Sequence, residues 1–297
     1  MPQGVEAGSL VLPSFSRILL VTDFSVCSEA AVPFVRLLAE QYNSELMVAH
    51  VVREHRAGPL DSVPGNISPT AAAEAQMSNF LASHPMGRQL NSIVRLGGVA
   101  ETVAAIILEQ RIDLVVIGTH GRSGVGKLMM GSIAQAIFNV ALCPVLTVSP
   151  RARMSWLPGD KLGRVLYPTD FTEETRKALP YALSLAKVGD AELLMLYAAR
   201  ASHGDPINEK FTQELHDRLV EMLPHAVRSW CKFDTMALPG DPADMIIRAA
   251  EEHSADFIVL GAHRIEQGPL YAAKVSLMNI AYQVVAHAHC PVLRVIS

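Results

Sequence analysis

The stretch Gly118-Thr119-His120-Gly121-Arg122-Ser123-Gly124-Val125-Gly126-Lys127-Leu128-Met129-Met130-Gly131-Ser132 opens directly into a helical pattern. Glycines at 118, 121, 124 and 126 let the backbone turn through positive φ and come close to a ligand. A helix starting at Gly131-Ser132 would turn unbonded N–H groups and the positive end of its dipole toward an anion. Arg122 and Lys127 add charge, and His120 stands where a strand hands over to the loop. The chemistry this favours is the holding of a phosphate. The competing reading, a surface loop backed by a serine-capped helix, leaves the coincidence of glycines, basic residues and strand end unexplained. Catalysis has no comparable signature. The sequence holds no GxSxG and no HExxH, and no nucleophile–base–acid set is recognisable. Gly121-x4-Gly126-Lys127 fits the first part of a Walker A loop, but Leu128 follows where a hydroxyl must hold Mg²⁺.

The elements that must position this loop are written twice along the chain. Ile18-Leu-Leu-Val-Thr-Asp-Phe24 returns as Val165-Leu-Tyr-Pro-Thr-Asp-Phe171, 147 residues on. At that offset Pro33 falls on Pro180, and Cys143-Pro144-Val145-Leu146 on Cys290-Pro291-Val292-Leu293. In the first copy the apolar patterning predicts strands over 17–22, 46–51, 91–96, 112–117 and 145–148. Helices are expected over 26–41, 70–83, 99–109 and 132–141, the first of them kinked at Pro33. The second copy predicts strands near 164–168, 192–198, 231–237, 256–260 and 291–295, with an amphipathic helix near 207–223. Strands alternating with helices of this length make βαβ units and a parallel, doubly wound sheet. A linker over 150–161, with Pro158-Gly159, separates an expected first domain, 1–150, from a second, 151–297. In such sheets ligands sit beyond the carboxyl ends of the strands, where the winding reverses. Thr22-Asp23 and Gly118 fall at two such ends.

Gly118-x2-Gly121-x9-Gly131-Ser132 matches G-2x-G-9x-G-(S/T), the ATP-binding signature of the universal stress protein family, at every fixed position. With Thr22-Asp23-Phe24-Ser25 and Cys143-Pro144-Val145 added, the chain resembles that family over nearly the whole of both halves. The resemblance implies a five-stranded parallel sheet per domain, strand order 3-2-1-4-5, with the two domains paired through their last strands. It also implies ATP, with or without Mg²⁺, in the strand-end crevice of the first copy. Asp23 and the backbone at Val51 would meet adenine. Gly118, His120 and Gly121 would lie along ribose and phosphates, and Gly131, Ser132 and Ile133 would cradle the phosphates. The second copy departs from the signature: Arg264 stands in place of Gly121, and Met278-Asn279 in place of Gly131-Ser132. It keeps Asp170 and Gly261-x-His263, so it reads as a degenerate site.

The whole composition agrees with a folded, two-domain chain. Of 297 residues, 50% are hydrophobic and 18% charged, which excludes disorder. A net charge of −4 gives no electrostatic reason for nucleic acid or an anionic membrane as partner. No signal segment or membrane span is recognisable, so the expected address is the cytoplasm. Four cysteines without a CxxC pair suit reduced, buried thiols. His287-Ala288-His289-Cys290 lacks ligand spacing for a metal. The function expected is an ATP-binding stress-response regulator, paired within the chain or as a homodimer, with an unnamed protein partner. A slow ATPase, or an interaction protein with a vestigial site, are the alternatives.

Overall fold

The computed structural model describes residues 11–53, 68–86, 90–119, 130–152, 162–199, 209–262 and 280–296. In the first copy these form β1 (Arg17–Val21), α1 (Val26–Glu29), α2 (Val32–Tyr42), β2 (Glu45–Val52) and α3 (Pro69–Ser83). Then come β3 (Leu90–Leu96), α4 (Val99–Glu109), β4 (Leu114–Gly118), α5 (Ser132–Val140) and β5 (Val145–Val148). The second copy gives β6 (Arg164–Pro168), α6 (Glu173–Gly189), β7 (Glu192–Ala199), α7 (Glu209–Glu221) and α8 (His225–Arg228). It ends in β8 (Phe233–Pro239), α9 (Pro242–Glu252), β9 (Phe257–Ala262) and β10 (Val292–Ile296). A last helix covers 280–287 before β10.

All ten strands lie in one sheet, ordered β3-β2-β1-β4-β5-β10-β9-β6-β7-β8. Each half runs 3-2-1-4-5 with parallel neighbours, and the halves meet where β5 pairs antiparallel with β10. Strands such as β1 and β4 are continuous apolar runs because helices cover both faces of the sheet. One face packs Phe34, Val35 and Leu38 of α2 with Ala182 and Leu183 of α6. The other packs Ile106 of α4, Ile137 and Phe138 of α5, Ile246 of α9 and Val284 of the last helix.

The expected single kinked helix over 26–41 is two helices. The chain breaks at Ala30-Ala31, and Pro33 takes a first-turn position of α2, where its missing N–H costs nothing. Its counterpart Pro180 instead lies inside an unbroken α6. β4 starts two residues later than expected because Asp113 does other work. Its carboxylate accepts hydrogen bonds from the backbone N–H groups of Ser16 (2.8 Å) and Arg17 (3.0 Å), pinning the start of β1. Asp256 does the same for Gly163 and Arg164 in the second half. β8 likewise begins at Phe233 rather than 231, and Cys231 is buried just before it.

Candidate functional site

The end of β1 is built by a turn that its own residues dictate. Thr22 is buried, accepts the Phe24 N–H at 2.9 Å and shares a 2.9 Å hydrogen bond with Ser28 Oγ. Asp23 Oδ1 accepts from the Ser25 N–H (3.1 Å) and Oγ–H (2.5 Å), and Ser25 in turn caps α1. The turn forces Phe24 into the left-handed region, φ 59°, as its counterpart Phe171 is forced to 65°. The Phe24 ring is repaid by contact: it lies 4.4 Å from the His50 ring, whose Nδ1 is 2.8 Å from Thr22 O. Thr22 is thus consumed by the turn and positions Asp23, which is half-buried at the strand end. Burial, then the Asp23 charge, push the neighbouring Cys27 thiol upward.

β2 runs past the end of β1. Its last pairing with β1 is Ala49 against Val21, and Ala49 O then accepts from the Thr22 N–H. Val52 turns its carbonyl to the other side, where the Gly97 N–H donates at 2.9 Å. Strand alternation therefore turns the Val51 backbone toward the side that β1 has just left, over the Asp23 turn.

The glycine loop has pinned ends. Thr119 is buried, and its carbonyl accepts the Gly131 N–H at 2.8 Å. Gly131 is the N-cap of α5, with φ −62° and ψ 147° and no side-chain hydrogen bond. The serine cap of the competing reading is not formed, since Ser132 is already the first helical residue. Because the Gly131 N–H is engaged, the free amides of this helix start are those of Ser132 and Ile133 in its first turn. His120, Gly121, Arg122 and Lys127 lie outside the described residues.

Ser132 and Ile133 open onto a cavity of about 390 Å³. Its wall also includes Arg53 after β2, Gly97 and Gly98 after β3, and Glu101 of α4. Gly98 is the N-cap of α4 and, like Gly131, offers no capping side chain. Two helix starts without a side-chain cap on the N-cap residue thus line one cavity with an arginine in its wall, and at the α4 start the Glu101 carboxylate lies against Gly98. Asp23, Val51 and Gly118 border the strand ends and are not part of that wall. Arg53, Gly97, Gly98 and Glu101 were missed in the sequence. The available signal was the Gly97-Gly98 pair, which aligns with Gly240-Asp241 in the second half. There Asp241 caps α9, accepting the Ala243 N–H at 3.0 Å, and the equivalent helix start is closed. In the same half Asp170 holds Thr172 and Thr175 as Asp23 holds Ser25.

Two doubly wound parallel sheets fused edge to edge through their last strands define a tandem α/β protein. The universal stress protein family matches residues 14–149 and again 161–295, and the chain belongs to that family. It is 34% identical over 140 residues to universal stress protein A homolog 1 of Coxiella burnetii, covering 45% of this chain and 96% of that protein. It is 31% identical over 139 residues to a universal stress protein of Methanocaldococcus jannaschii, covering 44% of this chain and 79% of that protein. Such relatives therefore match one half each. The whole architecture is shared with a universal stress protein from Archaeoglobus fulgidus: TM-score 0.65, 17% identity, 94% of this chain and 96% of that one.

Proposed function

We propose that this chain is a cytoplasmic nucleotide-binding regulator that holds ATP in its first half. The observation that carries the reading is the cavity into which both α4 and α5 open without caps, with Arg53 in its wall. Amides at the α5 start and the Arg53 guanidinium suit an anion, while the Glu101 carboxylate lies against the α4 start, and about 390 Å³ lies in the usual range for a small-molecule site. The phosphates would rest on Ser132 and Ile133, with His120, Gly121, Arg122 and Lys127 as the further contacts that the signature implies. Adenine would lie toward Asp23 and the Val51 backbone, and Glu101, in the cavity wall, would be the carboxylate available to hold a Mg²⁺ that came with the phosphates. Regulation follows if ATP favours one conformation or assembly, by no more than its difference in affinity for the two states. The second half, with Asp241 on its helix start and Met278-Asn279 in the signature, would carry no triphosphate.

The test is to denature freshly purified protein, identify released nucleotide by chromatography, and titrate the stripped protein with ATP in a calorimeter. One ATP per chain is expected. Two equivalent sites would defeat the assignment to the first half, and no binding at all would defeat the reading.

A further inference from the structure

Arg294 of β10 is 2% exposed, and its Nε has no hydrogen-bond partner. No carboxylate pairs with it among the described residues. Desolvation pulls its pKa down to about 10, so it is still a cation at neutral pH. A buried cation without an ion partner is costly, and an apolar side chain of similar volume is often the more stabilising choice. The ring and the carbonyl that its guanidinium meets belong to the C-terminal end of α5, in the other half of the molecule. The guanidinium stacks 4.3 Å over the Phe138 ring, and Nη2 lies 3.5 Å from the carbonyl of Ala141, the C-cap. Tyr282 adds a second grip, donating its hydroxyl to Asn139 Oδ1 at 2.8 Å.

α5 needs such help. It is nine residues long, with no acidic residue in its first turn and no basic residue in its last. Helices that short are marginal without tertiary support, and a cation at the carbonyl end is what its dipole lacks. The arrangement is one-sided. The first-half counterpart of Arg294 is Thr147, whose hydroxyl donates to Val292 O, and the last helix of the second half is met by the neutral hydroxyl of Ser149 at Ala288 O.

We infer that Arg294 is a positioning residue through which the second half holds α5, and with it the Ser132-Ile133 start, in the geometry the first-half site requires. The inference rests on the nucleotide reading above. It gives the half with the broken signature a task in the other half's site: the same short helix is held at one end and exposes its amides at the other.

Hydrogen exchange across α5 and ATP titration would be compared for the intact protein, Arg294→Lys, Arg294→Met and Tyr282→Phe. Arg294→Met should bind ATP roughly tenfold more weakly, within the usual range of coupling between sites, and exchange α5 amides faster. Arg294→Lys should recover most of the affinity even where melting ranks the Met variant as more stable. A mere filler would give the opposite order, with Met at least equal to Lys throughout. Tyr282→Phe keeps the ring and the fold, loses one hydrogen bond to Asn139, and should lower affinity by a factor of about two to five. Unchanged affinity in both Arg294→Met and Tyr282→Phe overturns the inference. Failure of the intact protein to bind ATP would instead strike the nucleotide reading itself, before any variant is compared.

Discussion

Gly118 sits so close to Cys27 that a Cβ on it would stand 2.6 Å from the Cys27 carbonyl oxygen. Gly261 meets Glu174 in the same way, at 2.4 Å. The first glycine of the phosphate signature is therefore required by packing of a helix against a strand end, α1 against β4 in the half that keeps the signature and α6 against β9 in the half that does not. Gly118→Ala and Gly261→Ala should each destabilise by about 1–3 kcal/mol, since backbone must move. Urea melts of the two variants would check this. Equal losses are expected, because the contact is shared.

Gly131 is different. Its φ and ψ are those of extended backbone, which any residue adopts. Gly131→Met, copying the second half, should leave the melting midpoint nearly unchanged and remove calorimetric ATP binding. Full affinity in the folded variant would show that the helix start does not receive phosphate.

Asp23 has two roles to separate. Its Oδ1 holds the Ser25 amide and hydroxyl, so Asp23→Ala should cost about 1 kcal/mol of stability for the lost turn bonds. Asp23→Asn keeps an acceptor oxygen and should spare most of that. Both should weaken ATP and ADP alike if the carboxylate meets the base. A loss confined to ATP would move Asp23 toward the γ-phosphate.

The cysteines give a pH prediction. All four are buried, and burial pushes every thiol up, Cys143 to about 12. At pH 8 the native thiolate fraction at Cys143 is then on the order of 10⁻⁴, and Ellman's reagent should label the folded protein far more slowly than the unfolded chain. The sign for stability follows from the raised values. The folded state keeps protons that the unfolded chain gives up above roughly pH 8.5, so stability is full below that pH and falls as pH rises toward 12. Tyr42, also raised to about 12 by burial, acts in the same direction. Melting at pH 7 and pH 10 should differ accordingly.

The repeat and the strand alternation were legible because both rest on local apolar runs, while the 3-2-1-4-5 order came only from the family resemblance that the signature of fixed spacing carries. What escaped the sequence depends on contacts across the fold. Pro33 and Pro180 are identical residues at matched positions, yet only the first opens a helix, because Ala30-Ala31 break the chain just before it. Thr22 reads as a ligand residue until its hydroxyl is found bonded to Ser28, six residues on. Arg53 and Gly98 are far apart in sequence, and only the sheet order brings the ends of β2 and β3 to one cavity with α5. Arg294 looks like any polar residue in a final strand until β10 pairs with β5.

That pairing joins Val292 to Thr147, Leu293 to Leu146 and Arg294 to Val145. If the halves were separate chains, the same join would come apart on dilution, and its strength would depend on how much protein was present. Within one chain its strands meet at an effective concentration set by the linker, whatever the amount of protein. The ten-stranded sheet should therefore melt at a midpoint independent of concentration. A cell holding very few copies would still hold them assembled, each with one half of one kind and one of the other.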